Sequence, residues 1–321
     1  MEIELRKIQR IGSSSLVVTL PKEWAKRLGL LPGSRVMLID EGESIRIKPL
    51  DGSTQNPIRL DLTKIPDKLA ASVPLCIYLS PVSDAEVLFP SIESREDART
   101  RQFNLMGLHM IDSLEDTSAK IEILLDQSRI DIPKLLKSLS VIVSKTTHLL
   151  LDALKGKAEN VSEKNSVLRN QFLRTHYIVL RQLASRYSEK GGIENYQVTL
   201  STSYSGFAID LLQELVNMVD KLVNEPIPEE DAGKLENMIN GIEKVGNLLF
   251  RVLASPSVSK LSELYQQLHI ARKLSEDLMV NANSRAAAVI GGRLYDIIRL
   301  LMIASYVAVC RVIMGVSRQK K

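Results

Sequence analysis

The sequence predicts a multidomain α+β protein with a small β-rich N-terminal domain, a small α/β segment and a C-terminal all-α domain of two three-helix bundles. Three observations predict this fold class. Short β-branched and alternating runs fill residues 1–50, strand-like and helix-like runs mix between residues 58 and 128, and from residue 131 apolar side chains recur with the 3.6-residue period of helices. A length of 321 residues also favours more than one domain.

The N-terminal domain is predicted over residues 1–50. Apolar and polar residues alternate in "EIELRKI", "LVVTL" is a β-branched run, and "SRVMLIDEGESIRIKPL" contains two predicted strands around a turn. "PKEWAKRLGLLPG" begins with Pro21 and stops at Gly29, which predicts one short helix. Trp24 lies on that helix, and we expect it to pack in the core or in a dimer contact.

A polar, turn-rich linker, "DGSTQNP", is predicted over residues 51–57, and the α/β segment follows at 58–128. Its predicted elements are a strand at "IRLDL", a helix near "KIPDKLAA", strands at "PLCIYL" and "AEVLF", a helix at "REDARTRQFNLM" and a final hairpin over "GLHMIDSLED" and "SAKIEILL".

The all-α domain is predicted over residues 129–321, with helices near 132–155, 163–188, 203–224, 229–253, 257–282 and 284–316. Prolines 133, 226, 228 and 256 interrupt this region, which excludes one long coiled coil. The six helices form two sets of three, so a duplicated bundle is expected, although the sequence shows no strong residue-level repeat.

Several classes of protein find no support in the composition. The four histidines lack ligand spacing, no CxxC pattern occurs, and Cys76 and Cys310 lie in apolar runs, which predicts two buried, reduced thiols. No catalytic triad context, P-loop or GxGxxG fingerprint is present. We therefore expect no catalytic residue, no cofactor and no metal site, and the chain is not predicted to be an enzyme.

The N-terminus is charged where a signal peptide needs an apolar core. The longest uncharged apolar stretch, residues 300–310, is about half of the ~20 residues that a membrane span requires. The sequence thus predicts a cytoplasmic protein with no membrane insertion.

Charge is concentrated at the start of the chain. Residues 1–27 carry three acidic side chains, Glu2, Glu4 and Glu23, against six basic ones, which are Arg6, Lys7, Arg10, Lys22, Lys26 and Arg27. This local excess is a candidate footprint for a polyanion. Arg and Lys neutralise phosphates, and small residues such as serine and glycine allow close approach to a phosphate group.

The stretch "RKIQRIGSSSLVVTLPKEWAKRLGLLPGSRVMLIDEGESIRIKP" resembles the SpoVT-AbrB family of DNA-binding domains. The resemblance implies a swapped-hairpin barrel, in which two chains interlock their N-terminal hairpins. It also implies that the basic face of this barrel contacts double-stranded DNA. The DNA-binding residues implied by position are Arg6, Lys7, Arg10, Gly12, Ser13, Ser14, Ser15, Lys22, Lys26 and Arg27.

The helical half resembles the PhoU family of phosphate uptake regulators, on its six-helix layout and on "VLRQLASR" and "GLHMIDSLEDTSAKIEILLD". The order of the whole chain is similar to that of archaeal-type fusions of the two families. Metal-binding E/D-x-x-x-D motifs, which that family implies, are incomplete here, since Glu163 is followed by Val167 and Glu263 by Gln267. No metal residues are therefore expected.

Together these observations predict a homodimeric, DNA-binding transcriptional regulator that is linked to phosphate uptake or homeostasis, with a phosphate transporter or signalling protein as a possible partner. The alternative is a regulatory adaptor whose helical domain docks on a transporter or a sensor kinase, with the N-terminal domain used mainly for dimerisation. An antitoxin is a third reading, but six ordered helices make a poor toxin-binding tail.

Overall fold

In the computed structural model, residues 4–12, 15–40, 45–49, 57–113, 115–126, 129–190, 193–222 and 227–318 are described. The chain divides into two compact units, Met1–Ile58 and Arg59–Lys321. A small β-rich unit precedes a mostly helical one, which confirms the predicted multidomain α+β fold class. The predicted linker lies outside the described residues, except for Pro57.

The first unit contains two antiparallel hairpins and one short helix. The hairpins are β1–β2 and β3–β4, and the elements in chain order are β1 (Gln9–Ile11), β2 (Ser15–Val17), α1 (Lys22–Arg27), β3 (Val36–Asp40) and β4 (Ile45–Pro49). The prediction of a strand over "EIELRKI" is wrong for residues 4–8, which carry no regular structure within one chain. Alternation alone is insufficient here, because a strand also needs a neighbour for its backbone hydrogen bonds.

The second unit begins with a four-stranded sheet and three helices. Its elements are β5 (Ile58–Asp61), α2 (Asp67–Ala70), α3 (Val73–Tyr78), β6 (Asp84–Leu88), α4 (Ile92–Arg101), a 3-10 turn (Gln102–Asn104), β7 (Leu108–Asp112) and β8 (Ser118–Ile123). The strand order is β5-β6-β8-β7, and β8 is antiparallel to both β6 and β7. Alternate residues of β6 and β8 are buried against the helices, so the sheet has one packed face.

The prediction of a strand at "PLCIYL" is wrong, because these residues form α3. Val73, Pro74, Ile77 and Tyr78 are buried together, and such spacing matches one side of a helix rather than alternate residues of a strand. Cys76 lies on the opposite, exposed side. Cys310 is exposed as well, so both cysteines are free, as expected, but neither is buried.

The rest of the described chain contains six long helices; five lie close to their predicted bounds, while the third begins ten residues before the predicted start at residue 203. They are α5 (Ile132–Leu154), α6 (Val161–Lys190), α7 (Ile193–Leu222), α8 (Glu229–Ala254), α9 (Val258–Asn281) and α10 (Arg285–Arg318). Helices α5–α7 pack on one another, as do α8–α10, while α5 packs on α8 and α7 on α10. One continuous apolar core therefore joins the two three-helix sets.

Burial reveals a residue-level correspondence between the two sets that the sequence alone did not show. Buried positions of α5 and α8 correspond at a separation of 99 residues, and most of those of α7 and α10 correspond at a separation of 89. In α6 and α9, three described positions are buried in both helices at a separation of 96. Corresponding pairs include Leu136 and Leu235, Val143 and Ile242, Leu150 and Leu249, Phe172 and Leu268, Val179 and Ser275, Ser201 and Ile290, Leu212 and Leu301, and Val216 and Ser305. We call α5–α7 the first repeat and α8–α10 the second repeat.

Candidate nucleic-acid interface

The first hairpin carries the start of the candidate interface. β1 and β2 pair with Gln9 opposite Val17, Arg10 opposite Leu16 and Ile11 opposite Ser15. Gly12 follows β1 with φ +68°, a left-handed conformation that glycine adopts without the steric cost of a side chain. Ser15 is the first residue of β2 rather than a loop residue, while Ser13 and Ser14 lie outside the described residues.

Helix α1 holds the second group of basic side chains. Its end is a Schellman motif, in which the N–H of Gly29 donates to the carbonyl of Lys26 at 3.1 Å and the N–H of Leu30 to that of Ala25 at 2.8 Å. Gly29 has φ +66°, as this motif requires. Lys22 and Lys26 are one helical turn apart, so both project from the same side of α1.

All six predicted basic contacts are exposed: Arg6, Lys7, Arg10, Lys22, Lys26 and Arg27. Arg6 forms an ion pair with Glu4. Sequence reasoning missed Arg35, which is exposed directly before β3 and adds a seventh basic side chain. Its position after the Pro32-Gly33 turn is the signal that could have identified it. Three acidic residues, Glu4, Glu23 and Asp40, accompany these seven between residues 4 and 40, so the described part of this unit is net positive.

Apolar side chains of the first unit are also exposed to an unusual degree. Leu5 is 95% exposed, Leu16 is 72%, Leu31 is 74% and Leu38 is 65%. Among its described side chains, only Pro21 is buried, and Trp24 is half-buried. A unit of this size cannot be stable with so little apolar surface removed from water, so a single copy lacks a core of its own.

Several acidic and basic side chains of the helical unit pair with one another. Asp210 and Glu214 are one helical turn apart in α7, and Asp210 accepts a hydrogen bond from Arg169 at 2.7 Å. Within the described ranges, no three His, Cys, Asp or Glu side chains converge as a metal site would require. The helices, as far as they are described, include none with the combination of length and apolar composition that crosses a membrane.

A comparison with known protein families matches the first unit. Residues 9–55 match the family model described as "Antidote-toxin recognition MazE, bacterial antitoxin". No curated protein and no solved structure matches the chain. The matched stretch covers β1 to β4 and the residues after them, and it leaves the helices uncovered. The chain thus carries an N-terminal MazE/AbrB-like domain, and this domain fits a DNA-binding regulator.

Proposed function

We propose that the protein is a homodimeric transcriptional regulator that binds double-stranded DNA through its first unit. The observation that carries the proposal is the exposed apolar surface of that unit, beside a cluster of basic side chains. A second copy would cover the apolar surface and double the basic one. The match of residues 9–55 to MazE antitoxins supports the same arrangement.

The chemistry of the basic side chains suits phosphate contacts. Arg6 and Lys7 precede the first hairpin and Arg10 lies in β1, while Lys22, Lys26 and Arg27 belong to α1. Each lysine or arginine that neutralises a phosphate releases condensed counterions, so affinity should fall steeply as salt rises. Gly12 and the serines after it would allow the backbone to approach the phosphates closely.

The helical unit is proposed to sense a signal, as a PhoU-like domain does, and to connect DNA binding to phosphate uptake. Support comes from the two corresponding three-helix repeats and from their order after the N-terminal domain. An effector could change DNA binding only if it bound two arrangements of the dimer with different affinity. We propose no catalytic activity for the chain and a cytoplasmic location.

The test is fluorescence anisotropy on duplex DNA from upstream of the protein's own gene, at several salt concentrations. We expect Arg10→Ala and Lys22→Ala to weaken binding by roughly 1 kcal/mol or more each and to reduce the slope of log affinity against log salt by about one unit. Arg129→Ala is the matched control, because Arg129 is a highly exposed arginine of the helical unit, with 87% of its side chain accessible.

Equal binding by wild type and by Arg10→Ala, with no dependence on salt, would reject the DNA hypothesis. Occupancy of the genome with and without phosphate in the medium tests the phosphate link separately. An unchanged occupancy pattern would remove that link while leaving DNA binding in place.

A further inference from the structure

A cleft lies between α5 and α6 of the first repeat, beside the connection that joins these two helices. Its volume is about 520 Å³, and it is open to solvent on one side. Four residues of α5 line it, from Lys145 to Asp152, and four of α6, from Lys164 to Gln171. In each helix the four are spaced i, i+3, i+4 and i+7, so one face of each helix forms a wall. We call this space the first cleft.

Three lysines line the first cleft: Lys145 of α5, Lys157 of the connection and Lys164 of α6. Within the described ranges, none of their ammonium groups forms an ion pair or a hydrogen bond. Asp152 is the one carboxylate among the lining residues that the structure describes, so three cations face one anion. His148 also lines the cleft, and its Nε2 is 3.5 Å from a carboxylate oxygen of Glu243. The cleft therefore has an excess of positive charge that the described chain leaves unpaired.

The second repeat has a cleft at the equivalent place, between α8 and α9. Its volume is about 370 Å³. Six residues line it, and each is the counterpart of a residue that lines the first cleft, at the separations of 99 residues for α5 and α8 and 96 for α6 and α9. Lys145 thus corresponds to Lys244, and Asp152 to Arg251. Because the same cleft occurs twice, it is a feature of the repeat and not an irregularity of one surface.

The two clefts differ in their charged groups. Glu263 places a carboxylate in the second cleft where the first has Val167. Lys260, the counterpart of Lys164, does not line the second cleft, and its Nζ donates to the carbonyl of Ser255 at 2.8 Å. Two cations and one carboxylate line the second cleft, against three cations and one carboxylate in the first. The first cleft is thus both the larger and the more positive of the two.

The positive charges of the first cleft are spread along its length. The N–H of Lys157 donates to the carbonyl of Asp152 at 2.9 Å, and Lys164 is the fourth residue of α6, so both lysines lie at the end beside the connection. Lys145 precedes Asp152 by seven residues, which is about 10 Å of helix. Leu149 lies between these two ends on the wall that α5 forms. The cleft therefore has cationic ends and an apolar middle.

We propose that the first cleft binds a small organic molecule that carries several phosphate groups, as a nucleoside triphosphate does. Lys157 and Lys164 would hold phosphate oxygens, the organic body would lie on Leu149 and Val167, and Lys145 would face its far end. Small-molecule sites span roughly 300–1,000 Å³, a range that includes this cleft.

The type of cation favours phosphates over carboxylates. An ammonium group acts as a point charge that suits phosphate oxygens, whereas a planar carboxylate is matched by the fork of an arginine. Among the described residues that line the first cleft, none is an arginine. The ligand would be the signal that the helical unit senses, and in this respect the inference rests on the proposed function, although the binding itself requires no DNA.

The test is isothermal titration calorimetry of the full chain, in buffer without divalent cations, with ATP, inorganic tripolyphosphate and adenosine. We expect saturable binding of one ATP per chain. Tripolyphosphate should bind about fivefold more weakly, because it lacks the body that covers the apolar middle. Adenosine should show no saturable binding, because it lacks the charges that the lysines neutralise.

Val167→Glu places the carboxylate of the second cleft in the first one and should weaken ATP binding about tenfold by repulsion. Val167→Gln is the matched control, since glutamine has nearly the same size without the charge, and it should change the affinity less than about twofold. Val167 is 53% exposed, so the surface tolerates either side chain. Circular dichroism checks that both variants are folded.

A second pair of variants assigns the binding to one repeat. Lys164→Met should weaken ATP binding about fivefold, whereas Lys244→Met, which removes an exposed lysine of the second cleft, should leave it unchanged. Asp152→Asn should strengthen it about threefold, because the substitution removes a repulsive charge from the cleft.

No saturable binding of ATP by the wild-type chain, or undiminished binding by folded Val167→Glu, would overturn the proposal. Tripolyphosphate as tight as ATP would overturn the organic body, adenosine as tight as ATP would overturn the phosphates, and weaker binding by Asp152→Asn would contradict the role of charge. Equal losses in Lys164→Met and Lys244→Met would overturn the assignment to the first cleft. Each of these results leaves DNA binding by the first unit in place, because the titrations contain no DNA.

Discussion

At the scale of single residues, α6 and α7 approach each other closely where Gly206 of α7 meets His176 of α6. A Cβ added at Gly206 would lie 2.5 Å from Cε1 and Nε2 of the imidazole. The imidazole stacks on Phe172 with ring centroids 5.3 Å apart, and burial lowers the pKa of His176 to about 4. A neutral, buried ring therefore fills the space that the missing side chain leaves.

The corresponding positions of the second repeat carry a different pair. Arg272 stands where the first repeat has His176, and Tyr295 where it has Gly206. Position 206 requires glycine for space and not for conformation, because Gly206 is not among the glycines with positive φ. That requirement is invisible in the sequence, where a glycine inside a helix only suggests local weakening.

We expect Gly206→Ala to lower the free energy of unfolding by about 1–3 kcal/mol, since the new methyl group would force the buried imidazole to move. Gly233→Ala in α8 is the control, because its Cβ would meet nothing within 4 Å. It should raise stability by roughly 0.5–1 kcal/mol through the better helix propensity of alanine. Urea unfolding followed by far-ultraviolet circular dichroism measures both, and equal effects of the two substitutions would contradict the close contact.

At the scale of elements, a buried arginine joins the sheet-containing segment to the helices. Arg181 of α6 is 1% exposed, and its guanidinium donates to the carbonyls of Tyr78, Ser80 and Val82 at 3.0, 3.0 and 3.1 Å. These carbonyls belong to the end of α3 and the connection to β6. The guanidinium also lies over the Tyr78 ring, 5.4 Å from its centroid, so one side chain fixes the end of α3 on α6.

We expect Arg181→Leu to destabilise the protein by about 2–5 kcal/mol, because three buried or partly buried carbonyls would lose their donor. Arg181→Lys should recover part of this loss, since an ammonium supplies hydrogen bonds without the planar fork. The midpoint of urea unfolding should fall in the order wild type, Arg181→Lys, Arg181→Leu. A leucine variant as stable as Arg129→Leu, a change on the exposed surface, would show that the buried contacts contribute nothing.

The elements also show which features the sequence could predict. Strong helical periodicity located all six long helices, because their apolar stripes face a shared core. The same reasoning misassigned α3, since six largely apolar residues fit a buried strand or a buried helix, and only tertiary packing decides between them. The basic residues of the interface were identifiable because charge is visible in a sequence. The pairing of the two three-helix repeats was not, because their correspondence is one of burial and not of residue type.

At the scale of the whole molecule, the two units differ in whether a single chain supplies a complete apolar core. The helical unit has a continuous core drawn from all six long helices. The first unit exposes Leu16, Leu31 and Leu38, although it holds two hairpins and a helix. Apolar surface of this extent costs free energy in water, and the cost falls when a second copy covers it.

An aspartate in the first unit should therefore dissociate the dimer. Leu16 is 72% exposed in one chain, so Leu16→Asp costs little in a monomer, but it would bury an unpaired charge wherever a partner covers β2. Val280→Asp in α9 is the control, because Val280 is 81% exposed in the helical unit. Sedimentation velocity should give twice the 35.8 kDa chain mass for the wild type and for Val280→Asp, and the chain mass for Leu16→Asp. Dissociation should also abolish DNA binding by Leu16→Asp, because a single chain supplies only one half of a two-fold DNA-binding surface. A wild-type chain that sediments as a monomer would reject the dimer, and a Leu16→Asp variant that remains dimeric would place the dimer contact elsewhere.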